Sequence, residues 1–303
     1  MSQLVTLVSY CSLEKAFGTA VISNARMFSD LVVVSIGSRL YTGEPEDVAS
    51  ERASLVAGSY SDEVSSLCPV HVVSYEVSEP LMRTPIALHN LSREVGLQAA
   101  RAALGIRTPF WTLMLDGDEV PDGSRVREWW RSSAGDAVRS DPRTVHKMAN
   151  HWMFAHPRLV ADTLEDSVLL VHSDALLNRE SLQHPRERDG IYLWHLTSPE
   201  GWRDLRVVRR VLSSDGQPMF WHFSWVRSSR TGADGKPDGG RAALKAKVAN
   251  WGHREDADWT TLIDGVFDEM QAGRWPDRDF VHGYKLTLLE KSPVEGMGET
   301  VEL

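Results

Sequence analysis

A chain of 303 residues, 42% hydrophobic and 25% charged, carries enough apolar material for one large domain or two modest ones. Its formal charge of −9 argues against a nonspecific nucleic-acid coat, while local basic patches survive such an average. Cys11 and Cys68 stand far apart, so neither a disulfide framework nor a cysteine-based metal cluster is expected. The start "MSQLVTLVSYCSLEKAFG" lacks a signal peptide's basic and long apolar regions, and no run approaches the ~20 apolar residues of a membrane span. The expectation is a soluble cytoplasmic protein, with membrane contact limited to its surface.

In chain order, "LVTLVSY" (4–10) reads as a buried strand. Residues 12–28 follow with apolar positions at helical spacing: Leu13, Phe17, Val21, Ala25 and Phe28. "LVVVSIGS" (31–38) is a second strand, residues 46–64 a helix, and "VHVVSYEV" (70–77) a third strand. A helix over 90–104 leads into "FWTLMLD" (110–116). This alternation predicts an α/β unit with a mostly parallel central sheet flanked by helices. The middle is polar and histidine-rich, with extended segments at 167–174, 191–197 and 205–212. Helices over 241–252 and 259–273 predict a helical C-terminal extension. The expected organisation is one catalytic domain over 1–230, a nucleotide half to about 125 and an acceptor half from 126, with 231–303 packed on it.

The acidic run "DGDE" (116–119) ends the fourth predicted strand, at the carboxyl edge where α/β sheets collect ligands. Asp116 and Asp118, spaced i and i+2, suit a hard divalent cation such as Mg²⁺ or Mn²⁺ that also takes phosphate oxygens. Gly117 between them leaves room for a sugar or phosphate. A solvated strand end is the structural alternative.

These elements resemble GT-A glycosyltransferases, particularly family 2-like enzymes of the lipopolysaccharide core type. The resemblance rests on "LSREVGLQAARAAL", "WTLMLDGDEVPDG" and "WHFSWVRSS" (221–229). It covers most of 4–130 and, more loosely, 205–255. Ala102 stands where the family carries asparagine, and "LVVVSIGS" lacks the family's acidic ending. It implies Asp116 toward the nucleotide or the metal, Asp118 and His222 as metal ligands, and Glu119 orienting the site. It also implies base recognition near Ser9, Tyr10 and Gly37, with Arg101 and Arg227 neutralising a diphosphate. The implied reaction is metal-dependent transfer of a sugar, inverting its configuration, from a nucleotide donor (a UDP-sugar first) to an acceptor hydroxyl.

An inverting transfer needs a carboxylate base. Glu165 and Asp166 fit by order and type, with Asp189, Asp204 and Asp215 as further candidates. His146, His151 and His156 lack the spacing for a zinc site on one helical face. With Trp152 and Phe154 they are candidates for an acceptor cleft or for plain core. The acceptor stays open among a glycan, a lipid-linked sugar, a protein and a modified DNA base. Arginines of "RDLRVVRR" (203–210) fall on both faces of a strand and form no single basic stripe. Lys245 and Lys247 read as a solvated helix surface. Two alternatives stand beside the transferase: a GT-A-like binding module without catalysis, and a metal-dependent nucleotidyltransferase or phosphohydrolase.

Overall fold

The computed structural model describes residues 2–40, 43–59, 68–79, 85–177, 206–227, 240–249 and 256–294. The predicted strand at 191–197 and the carboxylates Asp189 and Asp204 lie outside these residues.

The first half folds as the alternation predicts. Strands β1 (Gln3–Tyr10), β2 (Leu31–Gly37), β3 (Val70–Tyr75) and β4 (Phe110–Asp116) pair in parallel in the order β3-β2-β1-β4. Helices α1 (Lys15–Ala25), α2 (Val48–Ser59) and α3 (Pro85–Leu104) make the crossovers. Alternate residues of β1 feed opposite cores: Leu4 and Val8 meet Phe17 and Val21 of α1, while Val5 and Leu7 meet Leu97 and Ala100 of α3. Burial on both faces explains why these strands read as continuous apolar runs.

The second half departs from a mostly parallel sheet. Strand β6 (Thr144–Phe154) and strand β7 (Leu159–His172) form a hairpin, and β7 lies antiparallel against β4. Only four residues separate β6 from β7, too few for the dozen or more that a parallel crossover needs. Strands β8 (Arg206–Val211) and β9 (Phe220–Trp225) pair parallel with β6. Strand β10 (Leu286–Leu288) pairs antiparallel with β7, and short β5 (Glu119–Pro121) pairs antiparallel with β9. The sheet is therefore mixed, ordered β3-β2-β1-β4-β7-β6-β9-β5.

That order forces curvature. Laid flat, the four spacings from β4 to β5 would measure about 19 Å. Residues 116 and 119 are joined by three peptide steps, which span at most about 11 Å. The sheet must curl into a half-barrel whose mouth holds the acidic run. Phe17 of α1 stacks on Phe223 of β9, ring centroids 5.1 Å apart, and closes that mouth from beneath.

Asp122 and Ser132 cap helices α4 (Gly123–Arg131) and α5 (Ser133–Arg139). Helices α6 (Arg241–Ala249) and α7 (Trp259–Gln271) dock through a separate aromatic cluster that includes Trp152, Phe154, Trp225, Trp259 and Phe267. Among the described residues no helix is long and apolar enough to cross a membrane.

If the Phe17–Phe223 stack closes the half-barrel, Phe17→Ala lowers unfolding stability by about 3–5 kcal/mol. A lower urea midpoint with unchanged slope checks this.

Candidate functional site

The mouth of the half-barrel gathers side chains from six elements. At the end of β4, Asp116 Oδ1 accepts from Arg93 Nη2 of α3 at 2.8 Å, and the Asp116 amide donates to Glu119 Oε2 at 2.8 Å. This bond bends the chain back on itself, so the three acids occupy a tight turn and not an extended strand end. Asp118 Oδ2 accepts from Arg227 Nη2 at 3.0 Å and from Lys247 Nζ of α6 at 3.1 Å. His222 of β9 stands between two acids, its Nε2 3.7 Å from Asp118 Oδ1 and its Nδ1 3.8 Å from Glu165 Oε2 of β7. Beyond it, Glu165 Oε1 lies 3.3 Å from His282 Nε2.

Burial and charge pull these groups in different directions. Burial raises the Asp118 carboxyl, but Lys247, Arg227 and His222 overcome that and hold it well below the usual carboxylate range. Asp116 is raised by burial despite Arg93. Burial takes Glu119 to about 7. Half-buried Glu14, from the turn before α1, is lifted to about 8 by burial and then by Asp118 and Asp116. Burial lowers His222, yet Glu165, Glu119 and Asp118 raise it to about 9. Lys247 is lowered by burial and by neighbouring Arg227.

A cleft beside this cluster, over the carboxyl ends of the parallel strands, is lined by Ser9, Tyr10, Glu14, Gly37, Tyr75 and Asp116. Buried Ser9 Oγ has no hydrogen-bond partner among the described residues. Tyr10 lines the cleft without offering an open ring, because its hydroxyl donates to Glu51 Oε2 at 2.7 Å within the core. The space over Gly117 is already filled: a Cβ there would clash with Glu14 Oε2 and approach Tyr10 Cδ2 to 3.1 Å. Gly117 thus admits Glu14 in this conformation.

Other expected residues stand elsewhere. Arg101 is at the opposite end of β4, where its guanidinium donates to the Ser173 carbonyl at 3.4 Å. Arg93, two helical turns earlier, is the α3 arginine that reaches the acids. Glu165 and Asp166, adjacent on β7, point to opposite faces. Asp166 pairs with Lys147 at 3.2 Å and Arg209 at 3.6 Å, away from His222. Asp215 lies in an exposed turn with Ser213 and Arg125. His146, His151 and His156 do not converge. His146 is buried beside Trp111, its pKa pushed down to about 4 by desolvation, and His156 packs on Trp275. Trp152 and Phe154 belong to the core that docks α6 and α7.

The donor set does not fit a divalent cation. Among the described residues no three His, Cys, Asp or Glu groups converge as metal ligands. Asp118, the expected ligand, already meets two cations through one oxygen, and Asp116 is paired with Arg93. Mg²⁺ and Mn²⁺ require an oxygen-rich shell, and a third positive centre beside Lys247 and Arg227 would be repelled.

The residues at this mouth that the sequence did not single out are Arg93, Glu14 and His282, and Lys247, expected on a solvated helix surface, stands there too. Two of them carried a signal. Arg93 falls on the buried stripe Asn90–Arg93–Leu97–Ala100 of α3, and Lys247 lies between Leu244 and Val248 on the buried face of α6. Lys245 keeps the expected surface position, 2.5 Å from Asp264.

No family model matches the chain, and no curated protein matches it in sequence. Solved structures resemble it distantly, among them the following three. The nucleoside-diphosphate-sugar pyrophosphorylase from Vibrio cholerae RC9 shares 11% identity at a TM-score of 0.37, covering 70% of this chain and 93% of that one. A glycosyltransferase involved in glycosylation of the major capsid of PBCV-1 shares 17% at 0.32, covering 73% and 92%. The glycosyltransferase GlyE of Streptococcus pneumoniae TIGR4 shares 7% at 0.33, covering 91% and 65%.

Glu119 has a sign-definite consequence. A carboxyl raised in the folded state binds its proton more tightly than in the unfolded chain, so its contribution to stability is full at low pH. That contribution is lost as pH rises through the folded value of about 7. The protein should lose stability from pH 5 to 7, and Glu119→Gln should flatten that fall in urea unfolding across the range.

Proposed function

We propose that the chain transfers a sugar from a nucleotide diphosphate donor to an acceptor hydroxyl, with inversion at the transferred carbon. The observation that carries this reading is the convergence of two opposed groups on one mouth. On one side stand the acids of the β4 turn with their cations; on the other stands Glu165, a carboxylate 20% exposed and flanked by His222 and His282. The sequence resemblance to GT-A enzymes supports the same reaction class.

In this reading the nucleotide enters the cleft over β1, β2 and β3, where Ser9 Oγ offers an unused hydrogen-bonding group. A UDP-sugar is the donor proposed first. Glu165 acts as general base. It takes the proton of the acceptor hydroxyl as that oxygen bonds to the anomeric carbon, and the bond from that carbon to the diphosphate breaks with its electrons leaving on the diphosphate. His222 and His282 position the carboxylate. His282 is carried on a loop wound around Asp279, whose Oδ1 accepts from the amides of Val281 at 2.7 Å and His282 at 2.5 Å, and whose Oδ2 accepts from Tyr284 at 2.7 Å. The His282 and Tyr284 rings, centroids 5.0 Å apart, offer aromatic surface beside the base. Such surface suits the apolar face of a sugar, which favours a glycan acceptor.

A screen of nucleotide sugars against simple glycosides, read as nucleoside diphosphate release, tests the proposal. Glu165→Gln should cut turnover by about 10²- to 10⁴-fold with little change in donor KM. Full activity in that variant removes Glu165 as base. Formation of a nucleoside triphosphate from nucleotide sugar and pyrophosphate would instead indicate nucleotidyl transfer.

A further inference from the structure

Lys247 and Arg227 form a preassembled pair. Lys247 Nζ donates to Asp118 Oδ2 at 3.1 Å and is held by the Ser224 carbonyl at 2.7 Å and hydroxyl at 3.2 Å. Arg227 Nη1 donates to the Phe223 and Val226 carbonyls while Nη2 reaches the same Asp118 oxygen. The two cations are also fixed to each other's supports. Gly240, at φ +89, lies against the Arg227 backbone so closely that any Cβ would clash with the Arg227 carbonyl. That contact sets the start of α6, and Lys247 follows two turns later on the helix's buried face.

The charges do not balance within the pair. Two cations share one carboxylate oxygen, leaving a surplus positive charge at a nearly buried place where it is poorly screened. Arg227 Nε, fully enclosed, has no acceptor among the described residues. Arg93 does not add to the surplus, because it is paired with Asp116. Burial and the neighbouring Asp118 and Asp116 push the Glu14 carboxyl up, away from the charged form that would offset the pair. The donor cleft is lined by Asp116 and Glu14, which adjoin the turn whose Asp118 holds the pair.

Resting on the transferase reading above, we infer that Lys247 binds the diphosphate of the nucleotide donor and that Arg227, enclosed behind it, adds positive charge, so that the diphosphate is neutralised without a divalent metal ion. The two side chains take the part a metal plays in stabilising a leaving diphosphate. Asp118 is a positioning residue: it orients both cations and does not ligate an ion. Because three of the supporting acceptors are backbone carbonyls of β9 and its exit, the pair is rigid before the donor arrives.

Calorimetric titration of UDP and of GDP into the purified chain, first with excess EDTA and then with Mn²⁺, tests this. The expected result is binding of at least one nucleotide in EDTA, with an affinity that Mn²⁺ leaves nearly unchanged. Lys247→Met should weaken that binding by about tenfold or more, and Lys247→Arg should recover most of it. Thermal melts of each variant separate lost binding from lost folding, and the wild-type comparison needs no variant. Binding that appears only with Mn²⁺ overturns the inference and leaves the transferase reading standing. Absence of binding under both conditions overturns both.

Discussion

The site depends on one buried carboxylate held by two cations from distant parts of the chain. Asp118 belongs to the turn after β4, Arg227 to the exit of β9, and Lys247 to α6. An ion taken out of water costs several kcal/mol even after relaxation, so Asp118 can be buried at this position only with its partners in place. The requirement works in reverse as well. Arg227 is enclosed and Lys247 largely so, and each needs Asp118 to stay there. The half-barrel's two ends and the C-terminal helices are thus fastened at the point where the chemistry is proposed to occur.

Curvature of the sheet makes that fastening achievable. A flat mixed sheet would separate β4 from β5 and β9 by several strand widths. The short turn 116–119 forbids this and draws β9, with His222, against the acids. The same closure brings Glu165 of β7 to the inner side of the mouth. One carboxylate, Asp118, is then strongly ionised between cations, while its neighbours Glu119 and Glu14 are pushed toward neutrality by burial. Adjacent acids with opposite perturbations can serve different roles in one reaction.

Much of the first half was legible because its signals are local. β1 to β4 are apolar runs with turn residues between them, and they fold within a residue or two of their expected limits. The position of Asp116 and Asp118 at the sheet's carboxyl edge follows from that alternation alone. The second half was less legible. β6 carries two histidines and a lysine yet is an almost wholly buried strand, and Lys147 is paired with Asp166 across the strands, a partner that no local pattern reveals. The mixed strand order is set by a four-residue hairpin and by the curl, which depend on contacts remote in sequence. The metal expectation arose from residue types that suit a cation. The structure brings to Asp118 an arginine 109 residues away and a lysine 129 residues away, and such partners are invisible to spacing. Arg101 illustrates the same limit in small: the helix was foreseen, but only tertiary packing decides which of its arginines reaches the acids.

The central claim is that Asp118 and Lys247 are energetically coupled, with Asp118 serving cations of the chain itself. A double-mutant cycle on unfolding free energy, using Asp118→Asn, Lys247→Met and the double variant in metal-free buffer, measures this directly. The account predicts a coupling of about 1–3 kcal/mol, the double variant being less destabilised than the sum of the singles. Additivity within about 0.5 kcal/mol would contradict it, because the two groups would then not depend on each other.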